Sequence, residues 1–362
     1  IKKNEIPHGS WMFFDQIIIF DQMKRCITAL VYADLTDATN ESIEKIYEDC
    51  MNQINIIKDL MKVPLKEAHV LDWKQKQDLD IEISSNWSQE DFQESVLKAK
   101  EFIKKGDIFQ IVISQRFSTK VKSKPFDLYR SLRMINPSPY MAYFDFGSWY
   151  LIGSSPEVMV KAETLKDNQI IASLRPIAGT RPRGSDIEED LQFEKDLLND
   201  PKEISEHVML VDLGRNDLGR VCEIGSVKVK DLMIIERYSH VMHIVSEVQG
   251  KLATHKDVWD LLKATFPAGT VTGAPKIRAM QLIKTFEKEC RGPYAGIYGS
   301  VDINGALNTA ITIRSMVAIP SKDGSLNVYV QAGAGVVADS SPINEYNETV
   351  NKARGILMAI SS

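Results

Sequence analysis

The stretch GIYGSVDINGALNTAITIRSMVAIPSKDGSLNVYVQA, residues 296–332, decides the fold class. It reads as three strand-like runs, 296–302, 306–318 and 326–332, parted by Asn304-Gly305 and by Lys322-Asp323-Gly324. Turns this short join antiparallel neighbours, because a parallel return needs a crossover of about a dozen residues or more. Further strands are expected near 140–146, 149–154, 227–229 and 240–250. A strand at 108–117 has apolar residues at both parities, Phe109, Ile111 and Ile113 against Ile108 and Val112, so both its faces are expected to be covered. Helical spacing fits 190–212, 256–262, 275–289 and 342–361. Ser88 is placed to cap another helix, with Phe92, Val96, Ala99 and Ile103 on one stripe and Gly106 closing it. Short-turned strands interspersed with a few long helices make the class α+β. The chain has no internal repeat and no low-complexity tract.

Working outward, residues 12–20 and 26–33 read as a hairpin across Asp21-Gln22-Met23-Lys24, followed by a helix at 41–61. Residues 63–83 mix charges with Pro64 and little periodicity, and a domain boundary is expected there. The division is therefore 1–83, a remnant of an N-terminal region that packs on the core, and 84–362, the catalytic domain. A chain that starts at Ile1 is expected to be a fragment. With 44 Lys+Arg against 49 Asp+Glu and a net charge of −5, the 362 residues carry no basic surface for nucleic acid. No apolar run approaches the roughly 18 residues that cross a bilayer. The four cysteines, Cys26, Cys50, Cys222 and Cys290, have neither zinc-like nor Cys-x-x-Cys spacing and are expected to be free thiols in a reducing compartment, the cytoplasm or a plastid stroma.

Four clusters hold chemistry. In Lys202-Glu203-Ile204-Ser205-Glu206-His207, Glu203 and Glu206 lie three apart on one helix face, and Glu345 and Glu348 repeat that spacing after Ser341, expected to cap, and Pro342. Taken blind, each pair is a solvated face. Opposed, Glu206 and Glu348 would hold Mg²⁺, which takes one or two carboxylates plus water and an oxygen-rich substrate. The third cluster, Gly269-Thr270-Val271-Thr272-Gly273-Ala274-Pro275-Lys276, is a glycine-rich turn with Pro275 as the first helical residue, where Thr270, Lys276 and free N–H groups suit an anion. Its glycine spacing, and Ile277 where Ser or Thr should follow the lysine, exclude a P-loop; a plain tight turn is the competing reading. The fourth, Gln331-Ala332-Gly333-Ala334-Gly335-Val336, is expected to end a strand in small residues that admit a ligand. Arg314 before it suits a carboxylate or, as a lone arginine, a surface.

Gln110 inside the 108–117 strand is a buried amide that either crosslinks the fold or faces a polar site. His240 and His243 point to opposite faces of a strand, so they do not chelate one ion. Either, alone, is a satisfied core histidine or a general acid or base.

These strings, with Pro176-Ile177-Ala178-Gly179-Thr180-Arg181-Pro182-Arg183-Gly184 and Gly292-Pro293-Tyr294, closely resemble the chorismate-utilising enzymes, and within them the branch of anthranilate synthase large subunits. The resemblance covers about 88–360. It implies two packed, mainly antiparallel sheets with helices outside. It implies magnesium held chiefly by Glu206 and Glu348 with Glu203 and Glu345 supporting, and chorismate held by Gly179, Thr180, Tyr294, Arg314 and the Gly333-Ala334-Gly335 backbone, with Lys276 as a further anion contact. The catalytic candidates are His243, for the lyase step, with Thr270 and Gln110. Where hydrolytic relatives are expected to carry a general-base lysine this chain has Gln110, and where aminodeoxychorismate synthases commonly carry a nucleophilic lysine it has Ala178. The implied reaction is amination of chorismate at C2 and loss of pyruvate, giving anthranilate. No cysteine lies in a Gly-x-Cys-x-Gly elbow, so ammonia is expected from a separate glutaminase subunit. Pro139-Tyr140-Met141 resembles one side of the family's tryptophan feedback pocket, whose Leu-Leu-Glu-Ser counterpart is absent here. The alternatives are an aminodeoxychorismate synthase, a non-catalytic chorismate-binding or docking fragment, and an isochorismate synthase using another base.

Overall fold

The computed structural model describes residues 6–64, 79, 81–238 and 241–362. They fall into two compact units, one within Pro7–Asp72 and one within Trp73–Ser362. In the smaller, β1 (Gln16–Asp21) and β2 (Cys26–Val31) pair antiparallel and α1 (Asn40–Lys62) follows. The hairpin and helix stand where the periodicity predicts them, with the first strand starting later than residue 12. Much of the 63–83 stretch lies outside the described residues.

The larger unit begins with β3 (Ser84–Ser85), α2 (Gln89–Lys104), β4 (Gln110–Val121), α3 (Pro125–Ile135), β5 (Tyr140–Asp145) and β6 (Tyr150–Ser155). It continues through β7 (Val158–Thr164), β8 (Ile170–Leu174), β9 (Ile177–Pro182), α4 (Ile187–Leu198), α5 (Pro201–Gly219), β10 (Lys228–Arg237) and β11 (Val241–Lys251). It closes with α6 (Val258–Thr265), β12 (Gly273–Ala274), α7 (Lys276–Phe286), β13 (Ile297–Val301), β14 (Leu307–Ile311), β15 (Ser315–Pro320), β16 (Leu326–Val336) and α8 (Pro342–Ser361). Among the described residues the strands form two seven-stranded sheets. One runs β10-β11-β8-β7-β14-β13 with β9 also on β11; the other runs β12-β4-β16-β15-β6-β5 with β3 also on β4. Their pairings are antiparallel, as α+β with two mainly antiparallel sheets requires.

Apolar side chains explain the layering. Trp149, Leu151 and Val317 of the second sheet bury against Tyr298 and Ala310 of the first, while α8 and α3 cover the second sheet's other face with Ile356, Leu357 and Leu132. α2 starts as expected, Ser88 accepting from the Asp91 amide, and Gly106 ends that turn at φ 79°.

Some expectations fail for local reasons. The 306–318 run is two strands in different sheets, because the backbone turns at Arg314, which has φ 50°. The 190–212 helix is α4 and α5, parted at Asn199-Asp200-Pro201: Asp200 accepts from the amides of Lys202 and Glu203, and Pro201 starts the new helix. β16 does not end at 332. It runs to Val336 with Gly333 opposite Ser114 and Gly335 opposite Val112. Ser341 makes no side-chain cap to α8, and Pro275 is the residue before α7 rather than its first. α3 and β7–β9 had no counterpart in the sequence reading.

Candidate active site

α5 and α8 bring the four glutamates into one electrostatic neighbourhood. α5 lies on β9 and β11, anchored by the buried His207, whose Nε2 is 2.6 Å from Ser246 Oγ. Desolvation raises the pKa of Glu206, and the negative charges of Glu203 and Glu348 raise it further, so carboxylates of the two helices lie within electrostatic reach of each other. The Gln110 amide, 4% exposed, opposes this by donating Nε2 to Glu206 Oε1 at 3.1 Å. Burial raises Glu345 as well, and Glu348 adds to it. Lys352 donates to Glu348 at 2.5 Å and to the Gly333 carbonyl at 3.1 Å. Among the described residues no three acidic, His or Cys side chains form a ready-made metal cage. The donor set still suits a hard cation that keeps its waters: Glu206 is desolvated and repelled by neighbouring carboxylates, and is relieved by the Gln110 amide and, less, by the charge of Lys202.

β4 and β16 supply the floor. A Cβ on Gly335 would lie 2.8 Å from Gln110 Nε2, and one on Gly333 would lie 2.6 Å from the Tyr294 hydroxyl oxygen. Absent side chains here make room for those two groups. Burial pushes Tyr294 up to about 12, so it stays a neutral donor. Arg314 donates to the Lys352 carbonyl at 3.1 Å and, with Glu348, Lys352 and the amides of Asn344, Asn347 and Asn351, lines an open cleft of about 430 Å³. Ala334 is fully buried and alternates away from Gly333 and Gly335, so only its backbone belongs to the floor.

On the first sheet, His243 pairs with Thr180 across β11 and β9, its Nδ1 3.0 Å from Thr180 Oγ1 and 3.1 Å from the Gly179 carbonyl. A carbonyl only accepts, so we assign the proton to Nδ1, leaving Nε2 as the free base. Gly179 has φ 74° and packs beside Glu203, joining this group to the carboxylates. His240 lies outside the described residues.

With this geometry in hand, the sequence matches the chorismate binding enzyme family over residues 2–358. The chain belongs to that family. It is 58% identical over 358 residues, 98% of this chain and 70% of the relative, to "Anthranilate synthase component 1" of Synechocystis sp.. It is 48% identical to the protein of that name from Acetivibrio thermocellus, over 98% of this chain and 69% of that one. Its fold matches the crystal structure of anthranilate synthase component I from Streptococcus pneumoniae TIGR4 with a TM-score of 0.79 and 40% identity, covering 95% of this chain and 72% of that one.

Not every expected residue of this chorismate-binding chain joins the site. Lys276 is spent elsewhere: its ammonium, largely buried, pairs with Asp217 at 2.7 Å and with the Thr265 carbonyl at 3.0 Å, so it is a structural tie and not an anion contact. Tyr140 and Met141, after Pro139, alternate across β5 into different apolar clusters, Tyr140 with Tyr298 and Met141 with the α3–α8 side. Sequence reading missed Glu157, just before β7. Burial pushes its carboxyl up to about 7, offset by the Thr270 hydroxyl and the Lys352 ammonium. Thr270 Oγ1 approaches that carboxyl without a strict hydrogen bond, so we treat the pair as a contact. The signal was the polar Ser154-Ser155-Pro156-Glu157 directly after an apolar strand. Lys352 and the three asparagines were missed too, although Asn344, Asn347, Glu348 and Asn351 follow helical spacing on one face.

Proposed function

We propose that this chain adds ammonia to C2 of chorismate with loss of the ring hydroxyl, then removes the C2 proton and expels pyruvate, releasing anthranilate for tryptophan synthesis, as the names of its relatives suggest. The observation that carries this is the Gln110 amide 3.1 Å from Glu206. An amide is no base, so water is not activated there and an external nitrogen nucleophile is the fitting reactant. Glu206 and Glu348 would hold magnesium, with Glu203 and Glu345 beside them, and a metal bound there would supply charge neutralisation for the anionic substrate. Arg314 and Tyr294 orient the second carboxylate over the Gly333–Gly335 backbone. Glu157, pushed up to about 7 and so holding its proton in a large fraction of molecules at neutral pH, gives that proton to the leaving hydroxyl. Nε2 of His243 then takes the C2 proton while Gly179 and Thr180 hold the ring.

Ammonia is to come from a separate glutaminase subunit, since no cysteine of the chain sits in a nucleophile elbow. Among the described residues no helix is long and apolar enough to cross a membrane. The test is incubation with chorismate, Mg²⁺ and ammonium at alkaline pH, followed by product identification. Fluorescent anthranilate is expected; a C4-aminated product, isochorismate, or chorismate left intact would overturn the reading.

A further inference from the structure

A second, smaller cavity of about 20 Å³ lies beside the site, room for one water-sized molecule. Tyr294 forms part of its wall, together with Arg116, Arg291, Thr312, Val317 and Gln331. It sits on the face of the second sheet that also presents Gln110 and Gly333, since Gln110, Ser114 and Arg116 alternate along β4 and Gln331 and Gly333 along β16. Two buried acceptors on its wall, Thr312 Oγ1 and Gln331 Oε1, find no hydrogen-bond partner among the described residues, and Thr312 is 3% exposed. The direction of the Gln331 amide is settled by its neighbours. Ser114 Oγ donates to Glu287 Oε1 at 2.8 Å and must therefore accept from Gln331 Nε2 at 2.8 Å, which turns Oε1 away from Ser114.

Buried acceptors left without donors are costly, so the cavity calls for a small donor. Its charge is restricted as well. The two guanidiniums that line it are each paired with a carboxylate, Arg291 with Glu287 at 2.7 Å and Arg116 with Glu289, so its wall carries no net charge and favours an uncharged guest. Unsatisfied oxygens disfavour an anion. What fits is a neutral molecule of one heavy atom bearing N–H or O–H groups. Resting on the amination proposed above, we infer that this cavity is a holding site for neutral ammonia beside Tyr294. Thr312 and Gln331 take its N–H bonds.

The test is a titration of the whole chain with ammonium chloride at saturating chorismate and Mg²⁺ and fixed alkaline pH, read by anthranilate fluorescence. Thr312→Val, which keeps the shape and removes the acceptor, is expected to raise the KM for ammonia about fivefold, one hydrogen bond's worth, with the chorismate KM unchanged. Val317→Leu, which fills the void and keeps Thr312, is expected to move the same constant in the same direction. An ammonia KM that neither variant alters, as when the cavity holds only an ordered water, overturns the proposal; so does a parallel rise in the chorismate KM. Wild-type protein reports on the amination separately. If it makes no anthranilate both readings fall, whereas anthranilate with an ammonia KM indifferent to both variants removes the cavity alone.

Discussion

Glu157 shows how one residue's surroundings set its chemistry. A carboxyl that ordinarily titrates at 4.5 and is held at about 7 keeps its proton where an exposed glutamate has lost it. The rate per unit of free ammonia is therefore expected to fall as pH rises through about 7, and Glu157→Gln to lose roughly 10²–10⁴ in rate together with that pH dependence. The linked stability effect has a definite sign. Between 4.5 and about 7 the native state binds more protons at this site than the unfolded chain does, so stability declines as pH rises across that window. Urea unfolding of wild type against Glu157→Gln checks it, because the variant should lack that part of the decline. Glu206→Gln is expected to abolish turnover and to weaken magnesium binding measured calorimetrically; full activity would remove the metal assignment. His243→Ala should stop after amination, and rapid quench should find the aminated, pyruvyl-bearing intermediate. Normal anthranilate output would end its lyase role.

At the scale of elements, the floor of the proposed site depends on β16 staying zipped to β4 while lacking side chains at two positions. Gly333→Ala places a methyl 2.6 Å from the Tyr294 hydroxyl oxygen and 2.9 Å from Val112 Cγ1. Overpacking of this kind costs about 1–3 kcal/mol. The expected outcome is a raised KM for chorismate with little change in circular dichroism, which kinetics and spectra on one preparation decide. These glycines misled the strand prediction because small residues resemble a strand end, whereas here they pair residue for residue with β4. Proline misled the helix prediction in the opposite sense: an apolar stripe continued through 190–212, but Asp200 and Pro201 are a start signal for a second helix. That second start places Glu203 in the first turn of α5, with Glu206 one turn on.

Across the whole molecule, Lys276 and Asp217 join the start of α7 to the end of α5 through a buried ion pair. Burial raises Asp217 and Lys276 lowers it. Lys276→Met leaves that carboxylate unpaired and is expected to cost about 3–5 kcal/mol in denaturant unfolding, with the chorismate KM unchanged. A large KM effect at unaltered stability would return the lysine to the substrate. The sequence by itself determined what short-range rules govern: antiparallel pairing from the turns at Asn304-Gly305 and Lys322-Asp323-Gly324, the Ser88 cap, the two glutamate pairs three residues apart, and the absence of lysine at Gln110 and Ala178. Only the tertiary structure decided that 306–318 divides between two sheets, that Lys276 turns to Asp217, and that burial pushes the Glu157 carboxyl up. The physical reason is range: propensity, periodicity and capping act within a few residues, whereas desolvation and the mutual repulsion of charges arise only when segments distant in the chain are packed together.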